Sequence, residues 1–221
     1  MPTSRSYGDA CGIARALDVV GERWALLVVR ELLFGPQRFS DLRRGLPGAS
    51  SNLVADRLRE LTARGVVRRR KLAPPAGSWV YELTEWGREL DPVIVALGNW
   101  GLRVPLPDDP VTLGPVSVLL YLRTAARPTP GDDAAVQIDF DGRVWTARTS
   151  GGQVRIEAGE ATGADAVLRT DPVTLNALLA DPSGLDTALA ADSATVAGEL
   201  PVVRRLIGSV ATAPPDRNQH T

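Results

Sequence analysis

The sequence predicts an α+β chain of two modules. The N-terminal one is mainly helical with a single β-hairpin, and the C-terminal one mixes helices with a short-stranded sheet. Three observations predict this. The first hundred or so residues carry apolar stripes at helical spacing, broken by one strand-like stretch at 66–72 and 79–83. The run Val104-Pro105-Leu106-Pro107-Asp108-Asp109-Pro110 then interrupts every pattern as a stiff linker. Beyond it, strand-like runs alternate with glycine-bearing turns and capped helices. The expected parts are 1–104, a Pro-rich linker 105–111, a module 112–213, and a polar tail 214–221 read as disordered.

A first helix is expected from about Asp9 to Val20, where Cys11, Ala14, Leu17 and Val20 share a stripe. Residues 22–33, ERWALLVVRELL, are apolar almost all round and read as a central core helix, punctuated by Gly35-Pro36. A short third helix runs from Ser40, its N-cap, to about Leu46, and Pro47-Gly48 turns the chain. Ser50 or Ser51 caps a fourth helix that reaches about Ala63 and stops at Gly65. On it Val54, Leu58 and Leu61 point one way, with Asn52, Asp56, Arg57 and Arg59 largely off that stripe.

The period then changes. Residues 66–72 form a basic strand and 79–83 a second one. The intervening residues must turn, because the adjacent Pro74 and Pro75 cannot sit in a ladder. Thr84 caps a long helix to about Gly101, where Trp86, Leu90, Val93, Leu97 and Trp100 make a coiled-coil-like seam. Pro92 either bends this helix or starts its regular portion.

In the C-terminal module residues 116–126 read as a helix. Residues 135–140, 144–148, 154–157 and 166–170 read as strands, three or four of them a meander turning at Asp141-Gly142 and Gly151-Gly152. Asp171 caps a helix that Pro172 opens and that runs through Leu179. A short helix at 185–190, a strand at 195–199 and an amphipathic helix at 201–210 complete the pattern.

Composition narrows the function. The chain carries 25 Lys and Arg against 26 Asp and Glu, for a net charge of −1. That balance hides a basic N-terminal part and an acidic C-terminal one. The single cysteine, Cys11, excludes an intrachain disulfide and a cysteine-rich metal or iron–sulfur site. The single histidine, His220, leaves no histidine base, triad or metal centre. The acidic residues sit mostly in turns, as at Asp132-Asp133, Asp139, Asp141 and Asp181, so neither an enzyme nor a cofactor is expected. No apolar run approaches the roughly 18 residues of a membrane span. The start, MPTSRSYGDA, lacks the apolar segment of a signal peptide, so a cytoplasmic location is expected.

The order helix, short helix, turn, capped helix, basic hairpin is that of a winged helix-turn-helix. A polar helix face of this kind fits the major groove, and a basic wing lies along phosphates. The candidate DNA-binding residues are Arg38, Ser40, Ser50, Ser51, Asn52, Arg57 and Arg59, with Arg69, Lys71 and Ser78 from the wing. Asn52 is read as facing a base edge, and Arg69 and Lys71 as meeting phosphates. Asp56 would repel phosphate unless it pairs with Arg59 or reads a cytosine amine. Arg57 serves either DNA or a structural partner, Glu60 or Glu31.

Three stretches carry a family resemblance: CGIARALDVVGERWALLVVRELLFGPQRFSDLRRGLPGAS from Cys11, LRELTARGVVRR from Leu58, and YELTEWGREL from Tyr81. Over about residues 8–102 the chain resembles the HxlR-type family of winged-helix transcriptional regulators. The resemblance implies a homodimer on a pseudo-palindromic double-stranded operator, with the first and last helices as the dimer interface. Mapped here, those are Cys11, Ala14 and Leu17 with Trp86, Leu90, Val93, Leu97 and Trp100. The chain departs from the family at Gly12, where a proline is common, and at Glu22-Arg23-Trp24, where a Gly-Lys-Trp triplet is common. Some members sense oxidants through a cysteine at the position of Cys11. Here that residue is either such a redox sensor, its thiol pKa lowered by the helix start and helped by Arg15, or a small packed apolar residue.

The stretches AVQIDFDGRVWTAR, GQVRIEAGE and ADAVLRTDPVTLNALLA resemble the sterol-carrier-type (SCP2-like) α+β fold over about residues 112–211. That fold packs helices on one side of a mixed sheet and can enclose an apolar tunnel. Leu119, Leu122, Phe140, Trp145, Leu175, Leu178 and Leu179, with Leu120, either line such a ligand pocket or close into a core. The combined expectation is a homodimeric transcriptional regulator, a repressor rather than an activator, controlled by a small apolar ligand. The alternative is a carrier of lipid-like small molecules whose N-terminal half serves only dimerisation.

Overall fold

The computed structural model describes residues 6–73, 77–105 and 112–210. The linker after Pro105, the tail from residue 214 and the Pro74-Pro75 turn lie outside them. The chain divides into two compact units, residues 1–116 and 117–221.

The N-terminal unit runs α1 (Gly12–Val20), α2 (Ala25–Glu31), α3 (Phe39–Gly45), α4 (Ser51–Ala63), β1 (Val67–Lys71), β2 (Trp79–Leu83), α5 (Glu85–Arg88) and α6 (Asp91–Gly101). Val28 and Val29 of α2, Leu42 of α3, and Val54, Leu58 and Leu61 of α4 are buried together as its core. Helix α2 starts three residues later than its apolar run suggests. Trp24 stands before it at φ 77, a left-handed backbone that a bulky residue adopts only under constraint. Its ring lies against Gly48 of the turn between α3 and α4. Ser40 does not cap α3; Arg38 holds that position, without a side-chain bond. At α4 the cap falls on Ser50, whose Oγ accepts from the Leu53 N–H at 3.2 Å. Gly65, at φ 77, ends α4 as expected. The Val66 N–H bonds back to the Leu61 carbonyl at 2.9 Å and the Gly65 N–H to that of Thr62 at 3.0 Å.

Thr84 caps its helix, accepting from the Gly87 N–H at 3.0 Å. The long helix expected to follow is two. α5 ends at Arg88, and α6 begins afresh with Pro92 in its first turn, where a missing N–H costs nothing.

The C-terminal unit runs α7 (Pro115–Ala125), β3 (Ala134–Phe140), β4 (Arg143–Ser150), β5 (Gln153–Ala158), β6 (Ala166–Thr170), α8 (Pro172–Ala180), α9 (Leu185–Ala190), β7 (Ala194–Gly198) and α10 (Leu200–Gly208). Its sheet has the order β5-β4-β3-β6-β7. The first three strands are the expected meander. The fourth is not part of it: β6 crosses to the far side of β3 and pairs parallel, Val136 opposite Ala166. Val136, Ile138 and Phe140 alternate inward on β3 and face Ala147, Trp145 and Arg143 on β4. Helix α10 packs against β3, β6 and β7. Asp171 caps α8, accepting from the Val173 and Thr174 N–H groups at 2.8 and 2.9 Å.

Candidate nucleic-acid interface

The α3–turn–α4 corner is built from the buried Leu42, Leu46, Ala49, Val54 and Leu58. Arg43, which sequence reasoning passed over, braces it. Its guanidinium donates to Ser51 Oγ at 3.1 Å, to the Leu46 carbonyl at 3.4 Å and to the Ala49 carbonyl, tying the end of α3 to the start of α4. Its only sequence signal is a cation in the last turn of a helix before Pro-Gly. Gly45 leaves room here for the Glu31 carboxylate, which a side chain at that position would displace.

At about 100° per residue, Asn52, Asp56, Arg59 and Ala63 of α4 fall within about 60° of one another, opposite the buried Val54, Leu58 and Leu61. Asn52 is exposed and makes no side-chain hydrogen bond among the described residues. Asp56 pairs with Arg59, whose side chain is 74% exposed. Ser50 and Ser51 are exposed beside them, one engaged as the cap and the other accepting from Arg43. Arg38 and Ser40 are exposed at the start of α3. For Arg57 the structure shows the structural-partner alternative. It lies toward the buried stripe, its side chain 12% exposed, paired with Glu60 and 3.6 Å from Glu22. The scaffold takes it, and Glu31 pairs instead with Arg30 at 2.7 Å.

The wing's four consecutive cations separate by face. Across the hairpin Arg68 stands opposite Glu82, Arg69 opposite Tyr81, Arg70 opposite Val80 and Lys71 opposite Trp79. Glu82 receives Arg68 Nε at 2.7 Å on one oxygen and Arg70 Nε at 2.8 Å on the other. Burial pushes the Glu82 carboxyl up, but the hydrogen bonds from Arg70 and Arg68 outweigh it and hold the group below the usual carboxylate range. Arg69 turns the other way, its guanidinium carbon 4.5 Å from the Trp79 ring centre and 5.9 Å from that of Tyr81. Lys71 is exposed on the same strand, and Ser78 is half-buried, its carbonyl accepting from the Leu72 N–H at 2.8 Å.

The proposed dimer residues leave an apolar surface on this unit. Leu17 of α1, Trp86 of α5, and Val93, Leu97 and Trp100 of α6 are exposed by 40–65%. Leu90 and Ala14 are half-buried, and α6 turns Ile94 inward instead. Cys11 is exposed, which removes the packed-residue reading within one chain. Backbone N–H groups of Ile13 and Ala14 lower its thiol pKa; Arg15 is not among the causes.

In the C-terminal unit Leu119, Leu122, Phe140, Trp145, Leu175, Leu178 and Leu179 are all buried, and Leu120 half-buried. They pack as core: Phe140 meets the Trp145 ring edge-on at 5.8 Å. A concave space of about 280 Å³ lies elsewhere, among Arg127, Asp132, Val136, Thr149, Val202 and Arg205. Among the described residues no cluster of His, Cys, Asp and Glu is arranged to hold a metal, and no helix is long and apolar enough to cross a membrane.

The model of the HxlR-like helix-turn-helix family matches residues 19–107. The uncharacterized HTH-type transcriptional regulator YvaP of Bacillus subtilis is 36% identical over 86 residues, 39% of this chain and 80% of that protein. A second, Rv3095 of Mycobacterium tuberculosis, is 41% identical over 107 residues, 48% of this chain; the chain spans 66% of its length. Among solved structures, the redox regulator HypR in its oxidized form is 32% identical, with TM-score 0.40, covering 44% of this chain and all of that one.

Proposed function

The chain belongs to the HxlR-like helix-turn-helix family through its N-terminal half, and from that premise we propose that it is a homodimeric regulator of transcription that binds a pseudo-palindromic operator as a repressor. The observation that carries this reading is the exposed stripe of α4, with Asn52 at its start and its side chain without a hydrogen bond among the described residues, beside a wing whose outer face keeps Arg69 and Lys71 without acidic partners among the described residues. An amide there can make paired bonds to adenine, while the wing meets phosphate. The exposed apolar residues of α1 and α6 support dimerisation. Cys11, exposed and with a lowered thiol pKa, supports a redox input.

The C-terminal unit is read as a sterol-carrier-type domain, supported by its mixed sheet with α10 against it. A small, largely apolar effector would enter the space beside Val136 and Val202 rather than the packed core around Trp145. Titration of operator and scrambled duplexes at several salt concentrations tests the reading. Asn52→Ala should cost about 1–3 kcal/mol on the operator and little on scrambled DNA, with the salt dependence kept. Equal losses on both would remove Asn52 from base reading. A wild type that bound neither duplex would leave the carrier alternative.

A further inference from the structure

The sequence Arg68-Arg69-Arg70-Lys71 reads as one basic run, but the hairpin register makes it two different surfaces. On one, the two guanidiniums of Arg68 and Arg70 share the two oxygens of Glu82, a side chain only 11% exposed. Each guanidinium spends its Nε–H there, which holds it toward Glu82 and sets a negative charge beside it, where it competes with a phosphate. On the other, Arg69 has no carboxylate partner among the described residues. It sits over Trp79, diagonally across the strand pair, and near Tyr81.

Stacking uses the face of a guanidinium and leaves its donor edges open. An ion pair orients an arginine by consuming its charge; an aromatic ring orients it and keeps the charge available. Trp79 is 51% exposed although it lies in a strand whose neighbours Val80 and Leu83 are buried. An indole left half in water on a basic hairpin fills no core, and one of its contacts is the Arg69 guanidinium.

We propose that Trp79, with Tyr81, is a positioning residue that holds Arg69 as the wing's phosphate-contacting cation on double-stranded DNA, while Glu82 withdraws Arg68 and Arg70 from that contact. The proposal rests on the DNA-binding reading above. An arginine that is already ordered loses less rotamer freedom on binding, so the platform raises affinity without adding charge. Its effect therefore runs through Arg69 and vanishes when Arg69 is absent.

The test is a double-mutant cycle on the full chain, read as affinity for a duplex against salt. Trp79→Ala should weaken binding roughly two- to fivefold, on the scale of a surface cation–π contact, with the salt slope unchanged because no charge is lost. Trp79→Phe should restore most of the affinity. Arg69→Ala should lower the slope by about one. In the Arg69→Ala background, Trp79→Ala should cost nothing further. The Arg69 Nε–H proton, shifted upfield by the indole ring in the free protein, should return to its ordinary position in Trp79→Ala. A Trp79→Ala loss that persists without Arg69, or no loss at all in a chain that binds DNA, overturns the proposal alone. An absence of salt-dependent DNA binding by the wild type overturns the reading beneath it and the proposal together.

Discussion

Glu82 is the place where one substitution should strengthen a DNA-binding surface. The wing strand carries four formal positive charges, and Glu82 engages two of them at 2.7 and 2.8 Å. Glu82→Gln keeps the size and one acceptor but removes the carboxylate charge. The local net charge rises by one and neither guanidinium is any longer held to a carboxylate through its Nε–H. Each cation that then reaches a phosphate should steepen log K against log salt by about 0.9, so the slope should increase by about one to two. Replacing Arg69 and Lys71 together should shift it by a similar amount in the opposite sense. The substitution also weakens two charge-assisted bonds. The arginine side chains are 60% and 43% exposed, so solvent screening keeps that cost near 1 kcal/mol. The carboxyl is held below its ordinary pKa, so its stabilisation is complete above the unfolded value of about 4.3 and is lost as pH falls through the folded one. Wild type and Glu82→Gln should therefore differ in melting temperature at neutral pH and converge on acidification below about pH 4. Fluorescence anisotropy with a scrambled duplex at several salt concentrations, alongside thermal unfolding, measures both effects. An unchanged slope in a folded Glu82→Gln would refute the division of the wing into a withheld face and a presented one.

Two further outcomes are expected. Leu97→Glu places a charge in the exposed apolar face of α6, so sedimentation equilibrium should show a monomer with its helical signal retained; an unchanged dimer would sink the interface assignment. Asp171→Ala removes an acceptor that holds the Val173 and Thr174 N–H groups, and should destabilise the C-terminal unit by about 1 kcal/mol in calorimetry at pH 7. Burial raises the Asp171 pKa, but the Thr174 hydroxyl and backbone bonds lower it further, so this difference should shrink below about pH 4.

Much of the N-terminal unit was legible because its signals are local. Ser50 and Thr84 as caps, Gly65 as a stop and the two wing strands follow from short-range chemistry that tertiary packing did not override. What escaped the sequence was set by distant contacts. Trp24, left-handed before α2, meets Gly48 across the fold, and no periodicity reports that contact. Arg57 and Arg59 look alike as residue types, yet a rotation of 200° on α4 gives one to the scaffold and the other to solvent. The basic run was legible as charge but not as two faces, because the register with Glu82 and Trp79 is fixed by the hairpin. In the C-terminal unit, the strands were readable and the crossover of β6 to β3 was not, since parallel pairing leaves no turn signature. The apolar residues taken together as a pocket are the ones a core needs first, and hydrophobicity alone does not separate the two.

Exposure of large apolar side chains separates the two units, and it bears on which functional alternative to prefer. Among the described residues the C-terminal unit leaves Val173 exposed at 65%, while the N-terminal unit leaves Ile13, Leu17, Val93, Leu97, Trp100 and Leu102 at 40–74%. The first satisfies its own apolar surface, and the second needs a further surface to cover α1 and α6. The proposed dimerisation is therefore assigned to the N-terminal unit under either functional reading. That unit also carries an exposed polar stripe on α4, a cap that fixes where the stripe begins, an arginine brace across the turn, and a hairpin that sorts its cations by face. None of these is needed to bring two chains together. A carrier dimerised through α1 and α6 would leave Asn52 and the Arg69–Trp79 pair without a role, whereas a DNA-binding regulator uses each of them.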